Sequence, residues 1–175
     1  MQWFAWNELH GNNLVEWIKS SMLGFCAKLL KFGGGKLKSV ELADRWRQIS
    51  QDDFEMTEIA RQNGKFLHAA FCAQQAVEKA LKGIYVLNDL GQPPYTHDLV
   101  RLAEAISGIQ DFGPNVLATF SALNPFYIRA RYPDYKRMLE ETLDDETIAE
   151  FQQCAQGVLK CLQDSASEQM KKLRK

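Results

Sequence analysis

The chain has 175 residues, enough for one compact domain with an extension. Hydrophobic residues make up 46% and charged residues 25%, the texture of an ordinary globular protein. Its formal net charge is -1, from 21 Lys+Arg against 22 Asp+Glu, which excludes the broad basic excess of a non-specific nucleic-acid binder.

Residues 1–32 hold three of the four tryptophans, Trp3, Trp6 and Trp17. From Leu14 onward the apolar residues Leu14, Ile18, Met22, Phe25, Leu29 and Phe32 step by threes and fours, with Lys19, Lys28 and Lys31 off that stripe. Gly33-Gly34-Gly35 then forms a flexible joint. The spacing predicts an extra N-terminal amphipathic helix, with residues 1–38 as an extension ahead of the main domain. Three fates are open to that helix. It packs on the domain or a second subunit, it meets a partner protein or a membrane surface through residues 14–32, or it is an accessory stretch. The start Met1-Gln2-Trp3-Phe4-Ala5-Trp6 is unlike a secretory leader, and no uncharged run reaches the ~20 residues of a membrane span. A cytoplasmic location is the expectation.

The main domain spans 39–168, followed by a basic tail over 169–175. Leu42, Trp46, Ile49, Met56 and Ala60 suggest the inward stripe of a first helix, with Asp53 on the same stripe as a structural acceptor or part of a polar pocket. Asn63-Gly64 ends it with chemistry suited to the left-handed region. The next helix runs from about Lys65 to Leu90. Ala69, Ala70, Ala73, Ala76 and Ala80 give it a slim face that permits close helix approach. Val77, Leu81 and Ile84 add bulk, and Gln74, Gln75, Glu78, Lys79 and Lys82 lie along its middle. Gly91-Gln92-Pro93-Pro94 stops it.

Thr96 is the expected N-cap of a third helix carrying Leu99, Leu102, Ala103 and Ile106, with Asp98 in its first turn. Pro114 opens a short fourth helix through Leu117, Phe120 and Leu123, closed by Asn124-Pro125. Residues 126–137 have no clear period; they are rich in Tyr and Arg and carry four positive charges against one negative. A last helix follows Asp144-Asp145, with Ile148, Phe151, Ala155, Val158 and Leu162 in register, and frays into the basic tail. No strand-like alternation of useful length occurs. The fold class expected is all-α, an antiparallel up-and-down bundle of about five helices.

The four cysteines, Cys26, Cys72, Cys154 and Cys161, form no CxxC pair, and no histidine stands at zinc-ligand spacing from any of them. They read as free, buried thiols of a reducing compartment. Neither a metal nor a cofactor is expected.

Three pieces in order resemble a HEPN domain (higher eukaryotes and prokaryotes nucleotide-binding). They are Phe71-Cys72-Ala73-Gln74-Gln75-Ala76-Val77-Glu78-Lys79-Ala80-Leu81-Lys82, then Thr96-His97-Asp98-Leu99 with Leu102, then Tyr127-Ile128-Arg129-Ala130-Arg131-Tyr132-Pro133-Asp134. The resemblance spans about residues 40–165. It implies an up-and-down helical bundle that commonly forms homodimers. It also implies a separate minimal nucleotidyltransferase as partner, in pairs that often act as toxin–antitoxin modules.

Catalytic members of that family are metal-free ribonucleases with an Arg followed, four to six residues on, by a His. Here Arg129 and Arg131 are present, but the last histidine of the chain is His97. Tyr135 stands at the matching spacing from Arg129, and a phenol with a free pKa near ~10 is a poor general base at neutral pH. The resemblance therefore implies a non-catalytic branch, with a ribonuclease that uses His97 or Asp134 as the alternative.

Arg129 and Arg131, with Tyr127, Tyr132 and Tyr135, suit phosphate and base recognition, because guanidinium forks bind phosphate and aromatic faces stack on bases. Lys79 and Lys82 add charge if packing brings the two stretches together. The competing reading is that Tyr and Arg in a loop tie helices together, or meet a protein partner. For His97, just after Thr96, the choice is a hydrogen bond to backbone or to Asp53, or a ligand contact.

Overall fold

In the computed structural model the described residues are 36–88, 90–106, 113–128 and 133–173. They form six helices and no strand: α1 (Lys36–Gln62), α2 (Phe66–Leu87), α3 (Leu99–Ile106), α4 (Gly113–Ile128), α5 (Pro133–Glu140) and α6 (Asp145–Leu173). This is the all-α bundle that the hydrophobic spacing predicts. The N-terminal amphipathic helix and the Gly triplet lie outside the described residues. So do Arg129, Arg131 and Tyr132.

Helix α2 is the centre of the bundle. Ala69, Ala70, Ala73, Ala76 and Ala80 are all 0% exposed, so neighbouring backbones come close to it. Helix α1 runs antiparallel along this face, and the buried Ser50 hydroxyl donates 2.7 Å to the carbonyl of Ala76. A close seam selects small inward residues on α1 as well. Val40, Ala43, Ser50, Thr57 and Ala60 are the buried ones, while Leu42, Ile49 and Met56 are 43%, 47% and 48% exposed. The expected inward stripe of α1 is thereby corrected at Leu42, Ile49 and Met56, which lie to the side because the close α2 seam leaves no room for them, whereas Trp46 is half-buried and Ala60 is buried.

Other ends follow local chemistry. Gly64, at φ 64°, closes α1. Lys65 N–H bonds the Ala60 carbonyl at 2.8 Å and Gly64 N–H that of Arg61 at 2.9 Å, the paired bonds of a Schellman cap. Arg61 then clamps α1 to the start of α6 through both Asp145 oxygens, at 2.8 and 2.7 Å. Asp144 caps α6 by accepting from Thr147 N–H at 2.8 Å. Helix α6 continues to Leu173, with Lys171 and Lys172 in its last turn, where cations favour the helix dipole, rather than fraying from residue 169.

Two further boundaries differ from expectation. Helix α4 passes through Pro125 instead of stopping there. Residues 133–137 of the unpatterned stretch, with 138–140 after it, form α5, which Pro133 opens and Leu139, 8% exposed, anchors. Among the cysteines, Cys72 and Cys154 are free thiols. Burial pushes the Cys154 thiol up to about 12, which makes it inert. Cys161 is disulfide-bonded, which corrects the expectation of a thiol there, since linear spacing cannot show which sulfurs the fold brings together.

At Gly83 the three helices α1, α2 and α6 approach closely. A Cβ added there would lie 2.6 Å from Leu162 Cδ2 and 3.2 Å from Trp46 Cβ. The leucine end can rotate away, but the Trp46 Cβ is fixed by its backbone. Gly83→Ala gains about 1 kcal/mol of helix propensity against an overpacking cost of about 1–3 kcal/mol. The expected result is a net loss near 1 kcal/mol, read as a lower urea midpoint. A raised midpoint would show that the seam can open.

Candidate functional site

The site grows from one buried carboxylate. Glu78 sits in the middle of α2 and is 1% exposed. A charge so far from water needs partners, and it has three. Lys82, one turn on, donates to Oε1 at 2.8 Å; Lys79 lies 3.5 Å from the same oxygen; His97 Nδ1 lies 2.9 Å from Oε2. Lys82 is also held from its other side, with Nζ 5.7 Å from the centroid of the Trp46 ring on α1. Burial alone would raise the Glu78 carboxyl, but the bonds from Lys82 and His97 and the charges of Lys79 and Lys82 together hold it below the usual glutamate range.

An ionised carboxylate only accepts, so His97 Nδ1 must carry the hydrogen of that bond. In the neutral ring this leaves Nε2 as acceptor, and the Tyr127 hydroxyl lies 2.6 Å from it. The two rings are also stacked, with centroids 3.7 Å apart and planes 19° apart. Near-parallel rings set the phenol oxygen off the imidazole plane, so stacking and hydrogen bonding share this contact. The result is a line Glu78–His97–Tyr127 that fixes one tautomer and one ring orientation. The His97 side chain keeps 34% exposure, so the line reaches the surface.

The loop that carries His97 is held at several points. Gln74 donates to the His97 carbonyl at 3.0 Å, and Gln75 and Lys79 extend the chain of bonds along α2. Asp98, rather than Thr96, caps α3: its Oδ1 accepts from Val100 N–H at 3.0 Å and Arg101 N–H at 3.2 Å. Thr96 instead accepts from Asp98 N–H. Asn124 of α4 ties in from the other side, donating to Asp98 at 3.0 Å and accepting from Leu99 N–H at 2.9 Å. These bonds set the register of α4 against the loop and bring Tyr127 onto His97.

Of the residues expected from the sequence, Lys79, Lys82, His97 and Tyr127 come together. The two lysines are turned to Glu78 rather than left as open positive charge. His97 bonds Glu78, not Asp53, whose carboxyl is held above the ordinary aspartate value by burial, against the smaller opposing charge of Lys79. Tyr135 lies on α5 and is 47% exposed. The backbone of Asp134 is in the first turn of the same helix. Glu78, Gln74, Trp46 and Asn124 are site residues that the sequence alone does not single out. The signal that marks Glu78 is its i,i+4 pairing with Lys82 inside an otherwise alanine-rich segment. Among the described residues no group of three or more His, Cys, Asp or Glu side chains is placed to hold a metal ion, and no helix is long and apolar enough to cross a membrane.

Three comparisons with known proteins bear on this arrangement. No curated protein matches the chain. Among solved structures, TT1696 from Thermus thermophilus aligns over 70% of this chain and 97% of its own, with a TM-score of 0.59 and 24% identity, a likeness that shows the fold. The HEPN domain family matches residues 43–165, which hold α2, the His97 loop, α4, α5 and most of α6. That match covers well over half of the sequence, and the chain therefore belongs to the HEPN domain family.

Proposed function

We propose that this HEPN chain is a binding module that holds the phosphate and base of a nucleotide or RNA where α4 runs into the connector carrying Arg129 and Arg131. The observation that carries the reading is the Glu78–His97–Tyr127 line. A buried carboxylate orients a partly exposed imidazole, which positions a tyrosine only two residues before Arg129. Such a line offers a ligand a pre-set aromatic and hydrogen-bonding edge at low entropic cost, and the connector offers guanidinium forks for phosphate. In this reading the module is dimeric, with the exposed Leu42, Ile49 and Met56 available to a second copy. It serves a separate minimal nucleotidyltransferase in a toxin–antitoxin-like pair. Tyr132, Tyr135 and Asp134 contribute to the same rim.

The test is titration of labelled single-stranded RNA and of ATP into the pure protein beside Arg129→Ala. Loss of one charge-assisted phosphate bond is worth roughly 1.5–3 kcal/mol, so affinity falls about 10- to 150-fold. Unchanged binding in the variant would remove the connector from the site. Co-expression with a small nucleotidyltransferase, followed by co-purification and gel filtration, tests the partner and the dimer.

A second reading is favoured by the same imidazole. A histidine oriented by a carboxylate is the arrangement of a general base, and His97 would then replace the missing motif histidine in a metal-free ribonuclease. Cleavage of labelled RNA that disappears in both His97→Ala and Arg129→Ala would establish that reading over the first.

A further inference from the structure

The Glu78–His97–Tyr127 line holds its protons in an order that the charge of one ring decides. Glu78 is 1% exposed, and although burial opposes its charge, the bonds from Lys82 and His97 and the charges of Lys79 and Lys82 keep it ionised. It can then only accept, so Nδ1 of His97 carries a hydrogen in both charge states of the ring. The change on protonation falls wholly on Nε2, the nitrogen 2.6 Å from the Tyr127 hydroxyl. A neutral ring offers a lone pair there, and Tyr127 donates. A protonated ring offers an N–H there, and Tyr127 accepts. The phenolic hydrogen then leaves the ring nitrogen and passes to an acceptor on the other side of the oxygen.

The groups around the ring do not duplicate this change. Ordinary carboxylates, ammonium groups and phenols keep one charge state between about pH 5 and about pH 8, whereas an imidazole titrates there. Lys82 is engaged by Glu78, with its Nζ over Trp46 of α1. Lys79 is shared between Gln75 and Glu78. Asp53 of α1, beside Asp52, acts on Lys79 and Glu78 through charge. On the loop itself Asp98 caps α3 and accepts from Asn124, and the Tyr95 ring stands edge-on to His97 at 6.1 Å. The His97 side chain keeps 34% exposure and Tyr127 is half-buried, so this pair is within reach of a ligand.

We propose that the charge of His97 sets the hydrogen-bond direction of Tyr127, so that this edge gains a donor for an anionic oxygen when the ring is protonated. The proposal rests on the binding-module reading above only in bringing a ligand to this edge. It adds the polarity of the contact and its dependence on pH. Glu78 is what makes the switch one-sided: with Nδ1 pinned as a donor, the ring cannot answer Tyr127 by changing tautomer instead.

The test uses the full chain labelled with nitrogen-15 in histidine and carbon-13 at the tyrosine Cζ, read by NMR. Three histidines and five tyrosines are present, so His97→Gln and Tyr127→Phe identify the two signals by their loss. The neutral ring is expected to carry its hydrogen on Nδ1 and none on Nε2. The Tyr127 Cζ signal is expected to move with the His97 titration, at the same midpoint, and to stay flat in His97→Gln. Asp53→Asn, which removes the carboxylate that burial raises, leaves that coupling in place. Sulfate, whose charge is constant over this range, serves as the anionic oxygen. Its affinity, read from the Tyr127 signal, is expected to rise roughly tenfold from about pH 8 to about pH 5.5, as one charge-assisted bond is gained. The rise is absent in His97→Gln. A hydrogen on Nε2 of the neutral ring overturns the proposal, as does a Tyr127 signal that ignores the His97 titration. So does a sulfate gain that is missing in wild type or that survives in His97→Gln. If RNA and ATP lose affinity in Arg129→Ala while the neutral ring carries its hydrogen on Nε2, the nucleotide-binding reading stands and the switch falls. If neither ligand binds while the Tyr127 and sulfate results hold, the nucleotide-binding reading falls and the switch stands.

Discussion

Glu78→Ala should lower the unfolding free energy by about 3–5 kcal/mol, the usual consequence of deleting one member of a buried ion pair. The cost comes from what is left behind. Lys82 is 8% exposed and would lose the acceptor at 2.8 Å, and His97 would lose the acceptor that fixes its tautomer. Glu78→Gln should cost less, because the amide oxygen still accepts one of the two bonds. Adding Lys82→Met to Glu78→Ala should recover part of the loss, since the second change removes the stranded charge, and the coupling of the two changes would measure the pair. Urea denaturation of wild type, Glu78→Ala, Glu78→Gln, Lys82→Met and the Glu78→Ala/Lys82→Met double variant checks this. A Glu78→Ala loss below about 0.5 kcal/mol, the range of ordinary surface changes, would mean that the carboxylate is not the hub of the cluster.

The same group gives a pH dependence with a definite sign. Its folded carboxyl lies below the ordinary value, so the native state favours the ionised form. The stabilisation is then fully present above the unfolded glutamate value of about 4.3 and is lost as the pH falls through the lower folded value. Between about pH 7 and about pH 5 the contribution of Glu78 is flat; below about pH 4 it declines. Wild type should therefore lose more stability than Glu78→Gln over that acid range.

How much of this was legible in the sequence depends on packing distance. The helices of large residues read correctly: α3 shows Leu99, Leu102, Ala103 and Ile106 buried as their spacing requires, and α6 shows Ile148, Phe151, Ala155, Val158 and Leu162 buried. Helix α1 did not, because periodicity weights bulk. Leu42, Ile49 and Met56 form a good stripe, yet the partner is an alanine face, and the residues buried on α1 are Val40, Ala43, Ser50, Thr57 and Ala60. The alanine run of α2 held that information, since a slim helix face constrains whatever packs on it. Both inward hydroxyls find acceptors, Ser50 at the Ala76 carbonyl and Thr57 at that of Asp53, so their burial leaves no unpaired donor.

The site was legible in its residue types but not in its wiring. His97, Tyr127, Lys79 and Lys82 stand out as polar groups in a helical chain, whereas the residue that joins them, Glu78, reads as one more solvent charge. Position along a helix does not reveal burial when the covering element is a loop nearly twenty residues away in sequence. Helix α4 shows the same limit from another side. Proline disfavours helix at the residue before it, which argues for a stop at Asn124. Tertiary contacts override that preference: the Asn124 side chain is bonded to Leu99 and Asp98, and Phe126, 4% exposed, packs edge-to-face on Phe151 with centroids 5.8 Å apart.

That dependence of α4 on its packing carries the second large effect. Phe120 is 0% exposed and is among the largest side chains fully enclosed by the bundle. Phe120, Leu123 and Tyr127 are spaced by three and four, so they share one face of α4. Phe120→Ala should therefore cost about 3–5 kcal/mol through lost burial and the cavity it leaves, and it should also loosen the seat of Tyr127 on His97. Met56→Ala, at a side chain 48% exposed on α1, should stay within about 0.5 kcal/mol. Amide hydrogen exchange of Phe120→Ala should show faster exchange along α4 than along the first half of α1, because the change removes the anchor of one helix and not of the other. If instead the two substitutions cost the same, the burial pattern that places Tyr127 beside His97 is wrong, and a binding edge built on that pair has no fixed support.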